Sequence, residues 1–302
     1  MDQNQFDVKN AISGVLVVDK PIGMTSHDVV QVIRNGTKIR RAGHTGTLDP
    51  RASGVLVVLV GPAVRLSEYI SASDKRYQAI VRMGATTDTY DEEGKITTSS
   101  SVEITEAQFE ESLKQFVGEI EQVPPPYSAI KIQGKKAYEM AREGKEVDLS
   151  PRKINVYSLE LLEWAPPEAV IDVYCSSGTY VRSLANDLGK SLGCGAYLVG
   201  LRRTKSGRFT LRDAVSLRKL REAFEQGNWY QYLIPAAEAL SEWPAVELDA
   251  DQVDAIRHGH RVPAEAGATG WARGVSEQGE LVALLEANAD SSEWQPKKVF
   301  FS

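Results

Sequence analysis

Two cysteines in 302 residues, Cys175 and Cys194, are too few and too far apart for a disulfide framework or a zinc site. The four histidines, His27, His44, His258 and His260, make no metal-ligand spacing with them, and His258 and His260, two residues apart, would point to different faces of a helix. No metal is expected. The phosphate-cradling patterns GxGxxG and GxxxxGK(S/T) are missing, as is the GxSxG of a serine nucleophile, and neither cysteine has a histidine near it in sequence. Nothing approaches the roughly 20 apolar residues of a membrane span. The opening MDQNQFDVKN has neither the basic start nor the apolar core of a signal peptide. It reads as a loose tail over residues 1–13, and the chain as cytoplasmic. No internal repeat or low-complexity tract stands out.

What is present is ordinary in bulk and unusual in arrangement. Apolar content of 42% and charged content of 25% suit a soluble globular chain long enough for one large domain and a small one. The net charge is −6, yet the basic residues are segregated. One group is Arg34, Lys38, Arg40 and Arg41; a second holds Lys131, Lys135, Lys136, Arg142, Lys145, Arg152 and Lys153. A third packs Arg202, Arg203, Lys205, Arg208, Arg212, Arg218, Lys219 and Arg221 against a single acid, Asp213. Acids concentrate from Asp88 to Glu121 and from Glu222 to Asp254. Segregation of this kind makes a positive face on an acidic protein if the groups converge in space; otherwise it makes solvated helix faces.

One stretch gathers chemistry: GHTGTLDPRASG, Gly43 to Gly54. It sets the carboxylate of Asp49 among His44, Thr45, Thr47 and three glycines, and Pro50 biases the Asp away from helix. Glycines allow positive φ or a close approach to a ligand. The same twelve residues also describe a tight turn before the buried strand Val55 to Val60. Upstream, GVLVVDKP reads as a buried strand, and Thr25 or Ser26 as the cap of a helix closing near Asn35-Gly36. Downstream, Lys75 to Gly84 alternates as a half-buried strand, with Tyr77, Ala79, Val81 and Met83 on one face. An acidic loop follows (Thr86 to Gly94), then a helix opened by Thr105 with Gln108 in capping-box position.

Val123 to Lys153 begins with three prolines and continues as a basic amphipathic helix, Lys135 to Glu143. It is either a tethered element closing on a polyanion or a surface excursion. Strands are expected at Val156 to Trp164, Val170 to Cys175 and in Ala196 to Phe209, and a helix after Ser176 with Thr179 as cap and Leu184, Leu188 and Leu192 as its buried stripe. Arg182 in that helix's first turn is poorly matched to the helix dipole and so should serve another partner. Beyond Trp243-Pro244 comes a small β unit with a helix capped by Asp249 and strands at Trp271 to Val275, Leu281 to Glu286 and Val299 to Phe301. A lone carboxylate, tyrosines, an arginine and basic surfaces suggest metal-free chemistry on a nucleic acid.

Five ordered blocks carry a resemblance to a known family: VDKPIGMTSHDVV (Val18 to Val30), AGHTGTLDPRASGVLVVLVG (Ala42 to Gly61), DKRYQAIVRMGATTDTYDEEG (Asp74 to Gly94), PPPYSAIKIQGKKAYEMAREG (Pro124 to Gly144) and CSSGTYVRSLANDLGKSLGCGAYLVGLRRTKSGRF (Cys175 to Phe209). The chain resembles the bacterial tRNA pseudouridine synthase B family. The resemblance implies an α+β fold with a mixed, mainly antiparallel sheet flanked by helices. It implies a catalytic domain over 14–243 with a thumb insertion at about 123–153, and a small PUA-like RNA-binding β domain over 244–302. It implies Asp49 as the catalytic aspartate, paired with Arg182. Tyr77 would stack on the target base, with its phenol a candidate for the late deprotonation at C5. Tyr180 and Leu201 would complete the pocket, and His44 would touch the T-loop. Lys20, Arg40, Arg41, Lys131, Lys135, Lys136, Arg202 and Arg203 are the expected contacts to the RNA backbone. After Gly61 the sequence departs from the family's usual Ala-Thr-Lys, and Arg65 is expected to keep a phosphate contact or a helix-capping role.

Isomerisation of uridine to pseudouridine needs no cofactor, and none is expected. The expected partner is the T-arm of tRNA, met by a monomer without an obligate protein partner. Two rivals share features of the motif. A guide-RNA-dependent synthase would carry basic terminal extensions, which are missing here. A non-catalytic tRNA-binding or folding module could dispense with Asp49 or Arg182, and this chain has both.

Overall fold

The computed structural model describes residues 12–127, 131–132, 135–136, 140, 149–288 and 292–300. The chain forms two compact units. One holds the residues up to Asp49, Leu56–Ile70 and everything from Arg212; the other holds Pro50–Val55 and Ser71–Leu211. The division passes between Asp49 and Pro50, through the middle of the motif that the sequence singles out. The expected N-terminal tail lies outside the described residues as far as residue 11.

The second unit is a sheet in the order Ala52–Val60 (its first residues), Ala196–Ser206, Lys75–Met83, Glu168–Cys175, Arg152–Ala165, Gly118–Gln122. The first pairing is parallel and the rest are antiparallel. The period-two pattern of Lys75–Met83 decides what it buries: Ala79, Val81 and Met83 face inward while Arg76, Gln78 and Arg82 face water. The helices Glu106–Lys114 and Val181–Ser191 bring Phe109, Leu113, Leu184 and Leu188 onto Ala79, Val81, Ile171 and Val173 in one core. Thr105 and Gln108 close the expected capping box of the first helix. The second helix starts at Val181 behind Tyr180, whose side chain makes no capping bond. Thr179, expected to cap it, instead donates its hydroxyl to the carbonyl of Ser176.

Lys75 is a buried charge in this sheet. Its ammonium donates to the carbonyls of Ser71, at 2.7 Å, and Ser73. Burial, reinforced by the nearby cation Arg203, pushes it from 10.5 down to about 8. The folded chain therefore sheds this proton at lower pH than the unfolded chain does. Stability should rise as pH climbs from about 8 to 10.5, and that gain is lost as pH falls through about 8. Urea midpoints measured across this window should diverge from those of Lys75→Met, which lacks the group; parallel curves would show that Lys75 titrates normally.

In the first unit the strand Gly14–Lys20 pairs in parallel with Val215–Ser216 and antiparallel with Ile234–Pro235. The short strand Ala42–His44 lies antiparallel to Val58–Val60. Helix Ser26–Thr37 is opened by a reciprocal box between Thr25 and Asp28. The C-terminal part builds its own five-stranded sheet in the order Ala245–Leu248, Gly270–Ser276, Leu281–Ala287, Glu293–Val299, Val262–Pro263. Leu248, Ile256, Val262, Leu285 and Trp294 form its core, with helix Ala250–Arg257 capped by Asp249. The last strand was expected at Val299 to Phe301 and instead runs Glu293–Val299. Pro296 argues against a strand on sequence, yet it sits at an irregularity in the pairing between Leu284 and Leu285, where a missing N–H is tolerated.

The helix expected over Lys135 to Glu143 is corrected at its start, Lys135–Lys136, and holds at Met140, which is helical. Lys131–Ile132 pairs antiparallel with Lys135–Lys136, two residues apart, the spacing of a tight hairpin. The remainder of that expected helix, apart from Met140, lies outside the described residues. Among the described residues no helix is long and apolar enough to cross a membrane.

Candidate active site

The loop that carries Asp49 is held by a relay that begins 29 positions earlier. Lys20, at the end of the strand Gly14–Lys20, is fully buried and donates to the carbonyls of Pro21 (2.9 Å) and Met24 (2.7 Å). That fixes the turn feeding the Thr25 cap, and the cap places Ser26 at the first helical position, 1% exposed. The Ser26 hydroxyl then accepts the N–H of Leu48 at 2.8 Å and donates to the Leu48 carbonyl at 3.0 Å. Both backbone groups of the residue before Asp49 are thus spoken for, and Leu48 itself is buried. Thr45 is tied to Val57 through its N–H, at 3.1 Å. Asp49 is exposed at the end of this pinned segment, and His44 is half-buried in the strand leading into it.

Ser26→Ala leaves the buried N–H and carbonyl of Leu48 without these partners. It is expected to cost about 1–3 kcal/mol of stability and to slacken the loop that carries Asp49. Thermal unfolding checks the first and amide hydrogen exchange at Leu48 the second; an unchanged melting temperature would show that the Ser26 hydroxyl contributes nothing to holding Leu48.

The glycine that closes the motif serves packing rather than ligand space. Gly54 has φ of +98°, and a Cβ there would lie 2.2 Å from the carbonyl oxygen of Arg203. That close approach sets the strand after Asp49 against Ala196–Ser206. Ala52, three residues beyond Asp49, stands opposite Leu201, which on its other side stands opposite Ala79. Tyr77, two positions before Ala79, is half-buried, and both Tyr77 and Leu201 pack against the same core. The second unit therefore brings Tyr77, Leu201 and the chain leaving Asp49 onto adjacent strands.

Tyr180 and Arg182 come from the start of the helix Val181–Ser191. The Tyr180 backbone is clasped by the buried side chain of Gln122, which accepts its N–H at 2.8 Å and donates to its carbonyl at 3.1 Å. Arg182 is an arginine with two described acceptors: Nη1 meets Asp91 Oδ2 at 3.0 Å and Nη2 meets the Tyr127 carbonyl at 3.1 Å. The two charged side chains are 11% and 17% exposed. Asp91 is set in turn, since its Oδ1 accepts from Thr89 Oγ1 at 2.5 Å and from the N–H of Glu93 at 3.1 Å. The loop is anchored to the strand Ala196–Ser206 by Leu198, whose N–H reaches Tyr90 and whose carbonyl receives Glu92. Tyr90 has φ of 65°, a conformation that a bulky side chain disfavours, held immediately before Asp91. Arg51, two residues after Asp49, pairs with Glu92 of the same loop at 2.6 Å.

These partners are what the sequence reading missed. Asp91 was counted only among loop acids, Gln122 went unmarked, and Ser26 was weighed only as a cap. Three contacts, Gln122 to Tyr180, Val123 to Ser183 (2.8 Å) and Tyr127 to Arg182, also fasten the proline-stiffened entry of the insertion to one helix start.

Two expected RNA contacts are corrected on burial. Lys20 is fully buried and organises the Pro21–Met24 turn; Arg203 is 2% exposed and donates Nε to the Val55 carbonyl at 2.7 Å. Neither can present its charge to phosphate at the surface. Arg40 and Arg41 are exposed and Arg202 is half-buried. Lys131, Lys135 and Lys136 lie in the hairpin, and their side chains lie outside the described residues. Arg65, an exposed residue in the last turn of the short helix Gly61–Leu66, donates to the carbonyl of Val299 and lies over the Phe300 ring at 5.4 Å. Among the described residues no three His, Cys, Asp or Glu side chains converge to hold a metal ion.

Residues 34–181 match the family described as TruB family pseudouridylate synthase, N-terminal domain. Residues 182–241 match the tRNA pseudouridylate synthase B C-terminal domain, and 243–301 match tRNA pseudouridine synthase II, C terminal. A Thiobacillus denitrificans protein named tRNA pseudouridine synthase B is 44% identical over 281 residues, covering 93% of this chain and 94% of its own length. A Pseudomonas aeruginosa protein of the same name is 40% identical over 287 residues, covering 94% of each chain. Among solved structures, that of a Cbf5-Nop10-Gar1 complex superposes with a TM-score of 0.76 at 28% identity, over 98% of this chain and 87% of the other.

Proposed function

This chain belongs to the TruB family of pseudouridylate synthases, and from that premise we propose that it isomerises uridine 55 in the T-loop of tRNA to pseudouridine. The observation that carries this reading is end-to-end likeness to proteins named for tRNA pseudouridylation, in a chain whose motif presents an exposed Asp49 on a pinned loop. The guide-dependent alternative is favoured less. The complex that superposes well is a more distant relative than the tRNA synthases.

The roles follow from the chemistry. The target uridine leaves its stack, at a cost of a few kcal/mol that stacking and edge contacts must return. Tyr77 stacks on the flipped base, Tyr180 and Leu201 close the pocket, and His44 lies on the RNA side. Asp49 either attacks C1′ or removes a proton from C2′; in both routes the C1′–N1 bond breaks, the uracil turns in place, and C5 bonds to C1′ with loss of its proton. Arg182, itself aimed by Asp91, holds the Asp49 carboxylate ionised and directed. Arg40, Arg41 and Arg202 supply phosphate contacts. The reaction is an isomerisation that consumes no co-reactant. We place it in the cytoplasm with its substrate, carried out by a monomer.

The purified chain, mixed with unmodified tRNA transcript and nothing else, should form pseudouridine at position 55 and at no other uridine. A requirement for an added RNA or protein would move the reading to the guide-dependent class.

A further inference from the structure

The strand Ala196–Ser206 carries two segments end to end along one edge. Its other edge is filled by Lys75–Met83, with Leu198 opposite Val81 and Leu201 opposite Ala79. On the first edge the acidic loop docks at Leu198, where Asp91 stands opposite it in a parallel bridge. The Leu198 N–H donates to the Tyr90 carbonyl and its carbonyl receives the N–H of Glu92, both at 3.0 Å. Three residues further on, and also in parallel, Ala52 stands opposite Leu201. The two segments thus lie roughly 10 Å apart along the strand, and the residues at their facing ends are Glu92 and Arg51. Their side chains close the gap: Arg51 Nη2 is 2.6 Å from Glu92 Oε1, and its Nε is 4.0 Å from Glu93 Oε1.

The pair is not needed to hold either end. Each segment is already fixed to the strand through its backbone. The Arg51 and Glu92 side chains are 55% and 36% exposed, and an ion pair so open to water contributes little to stability. What sets Arg51 apart is its place two residues after Asp49, within about 7 Å of it along the backbone. The ribose on which that carboxylate would act is esterified to a phosphate on each side. An exposed cation this close in the chain to Asp49 therefore has a phosphate within reach. A planar guanidinium meets carboxylate and phosphate oxygens with the same two-pronged geometry. Two of the cations expected to meet the RNA backbone, Lys20 and Arg203, are instead turned inward onto carbonyls.

We infer that Arg51 is an RNA-binding residue that exchanges partners: without RNA it is held by Glu92, and on binding it passes to a phosphate beside the target uridine. The inference rests on the proposed uridine isomerisation and adds to it a contact on the reacting nucleotide and a built-in competitor for that contact. Glu92 lowers affinity because its pair with Arg51 must open before the phosphate is met. The two members of one ion pair thus have opposite effects on binding, which a merely structural pair would not show.

The test uses the full chain with Asp49→Asn as background, so that binding is read without turnover, and filter binding of unmodified tRNA transcript across a range of salt. Arg51→Met should raise Kd about 3- to 10-fold, and the slope of log Kd against log salt should flatten by about 0.7 to 0.9, the value of one phosphate contact. Arg51→Lys should keep the slope. Glu92→Gln should lower Kd about 2- to 5-fold, the range over which an exposed pair is felt, and should have no effect when combined with Arg51→Met. Thermal midpoints of all these variants should stay within about 2 °C of the background. Weaker binding in both single variants, or an unaltered salt slope in Arg51→Met, overturns the inference. So does an equal tightening by Glu92→Gln in the presence of Arg51→Met, which would make Glu92 a general repulsive charge. If the unsubstituted chain forms no pseudouridine in the same transcript, the failure belongs to the proposed function instead.

Discussion

Asp49→Asn should eliminate pseudouridine formation, by a factor on the order of 10⁴ or more, the scale on which removal of a reacting nucleophile is felt, while the Kd for tRNA changes by less than about threefold. Asparagine has nearly the same shape but neither the nucleophilicity to attack C1′ nor the basicity to take a proton from C2′. The fold should tolerate the change, because Asp49 is exposed and the loop is held one residue earlier, through the Leu48 backbone and Ser26. Substitutions at exposed positions away from special features usually move stability by no more than about 0.5 kcal/mol. The measurement is a map of pseudouridine in tRNA after incubation with each protein, beside filter binding of the same RNA. Equal losses of binding and modification would make Asp49 a structural residue and return the motif to the tight turn that its twelve residues also describe.

How far this site was legible depends on the range of the interactions that build it. The capping boxes at Thr25, Thr105 and Asp249 close within three residues, so sequence spacing alone locates them. The alternation of Lys75–Met83 was equally readable, because burial on a sheet face follows a period of two. Asp49 stood out through composition, and its role came only with the ordered blocks. By contrast, Ser26 reaches Leu48 across 22 residues, and Arg182 finds Asp91 across 91. No local pattern marks which serine or which loop acid will serve. Charge misled in a definite way. Lys20 and Arg203 were counted toward a phosphate-binding surface, yet each is folded inward onto backbone carbonyls, where a long side chain can satisfy its donors. Of the two uses the sequence allowed the glycines, Gly54 takes the positive φ, required by the close backbone of Arg203. In the insertion, KKAYEMAREG has helical periodicity; Lys135–Lys136 at its start pair with Lys131–Ile132 as strand, while Met140 is helical.

The second large effect is expected at Arg182. Its guanidinium spans two acceptors from different segments, Asp91 and the Tyr127 carbonyl, a geometry a lysine ammonium at the end of a flexible stem does not reproduce. Arg182→Lys should therefore fall nearly as far as Arg182→Met, by about 10³-fold in single-turnover rate, if this cation keeps the Asp49 carboxylate ionised and aimed. Asp91→Asn keeps the shape and removes the charge that orients the arginine. A hydrogen bond to a charged group is worth about 1.5–3 kcal/mol, so this variant should lose roughly 10- to 100-fold in rate with tRNA affinity little changed. Asp91→Ala should also cost stability, toward the lower end of the 3–5 kcal/mol typical when one partner of a buried ion pair is removed, because both side chains keep some contact with water. The decisive comparison is the double-mutant cycle. If Asp91 acts through Arg182, then Asp91→Ala adds almost nothing to the rate loss of Arg182→Met. Full additivity would mean that the two residues act independently and that the acidic loop serves the site by some other contact, of which the Arg51–Glu92 pair beside Asp49 is the nearest at hand.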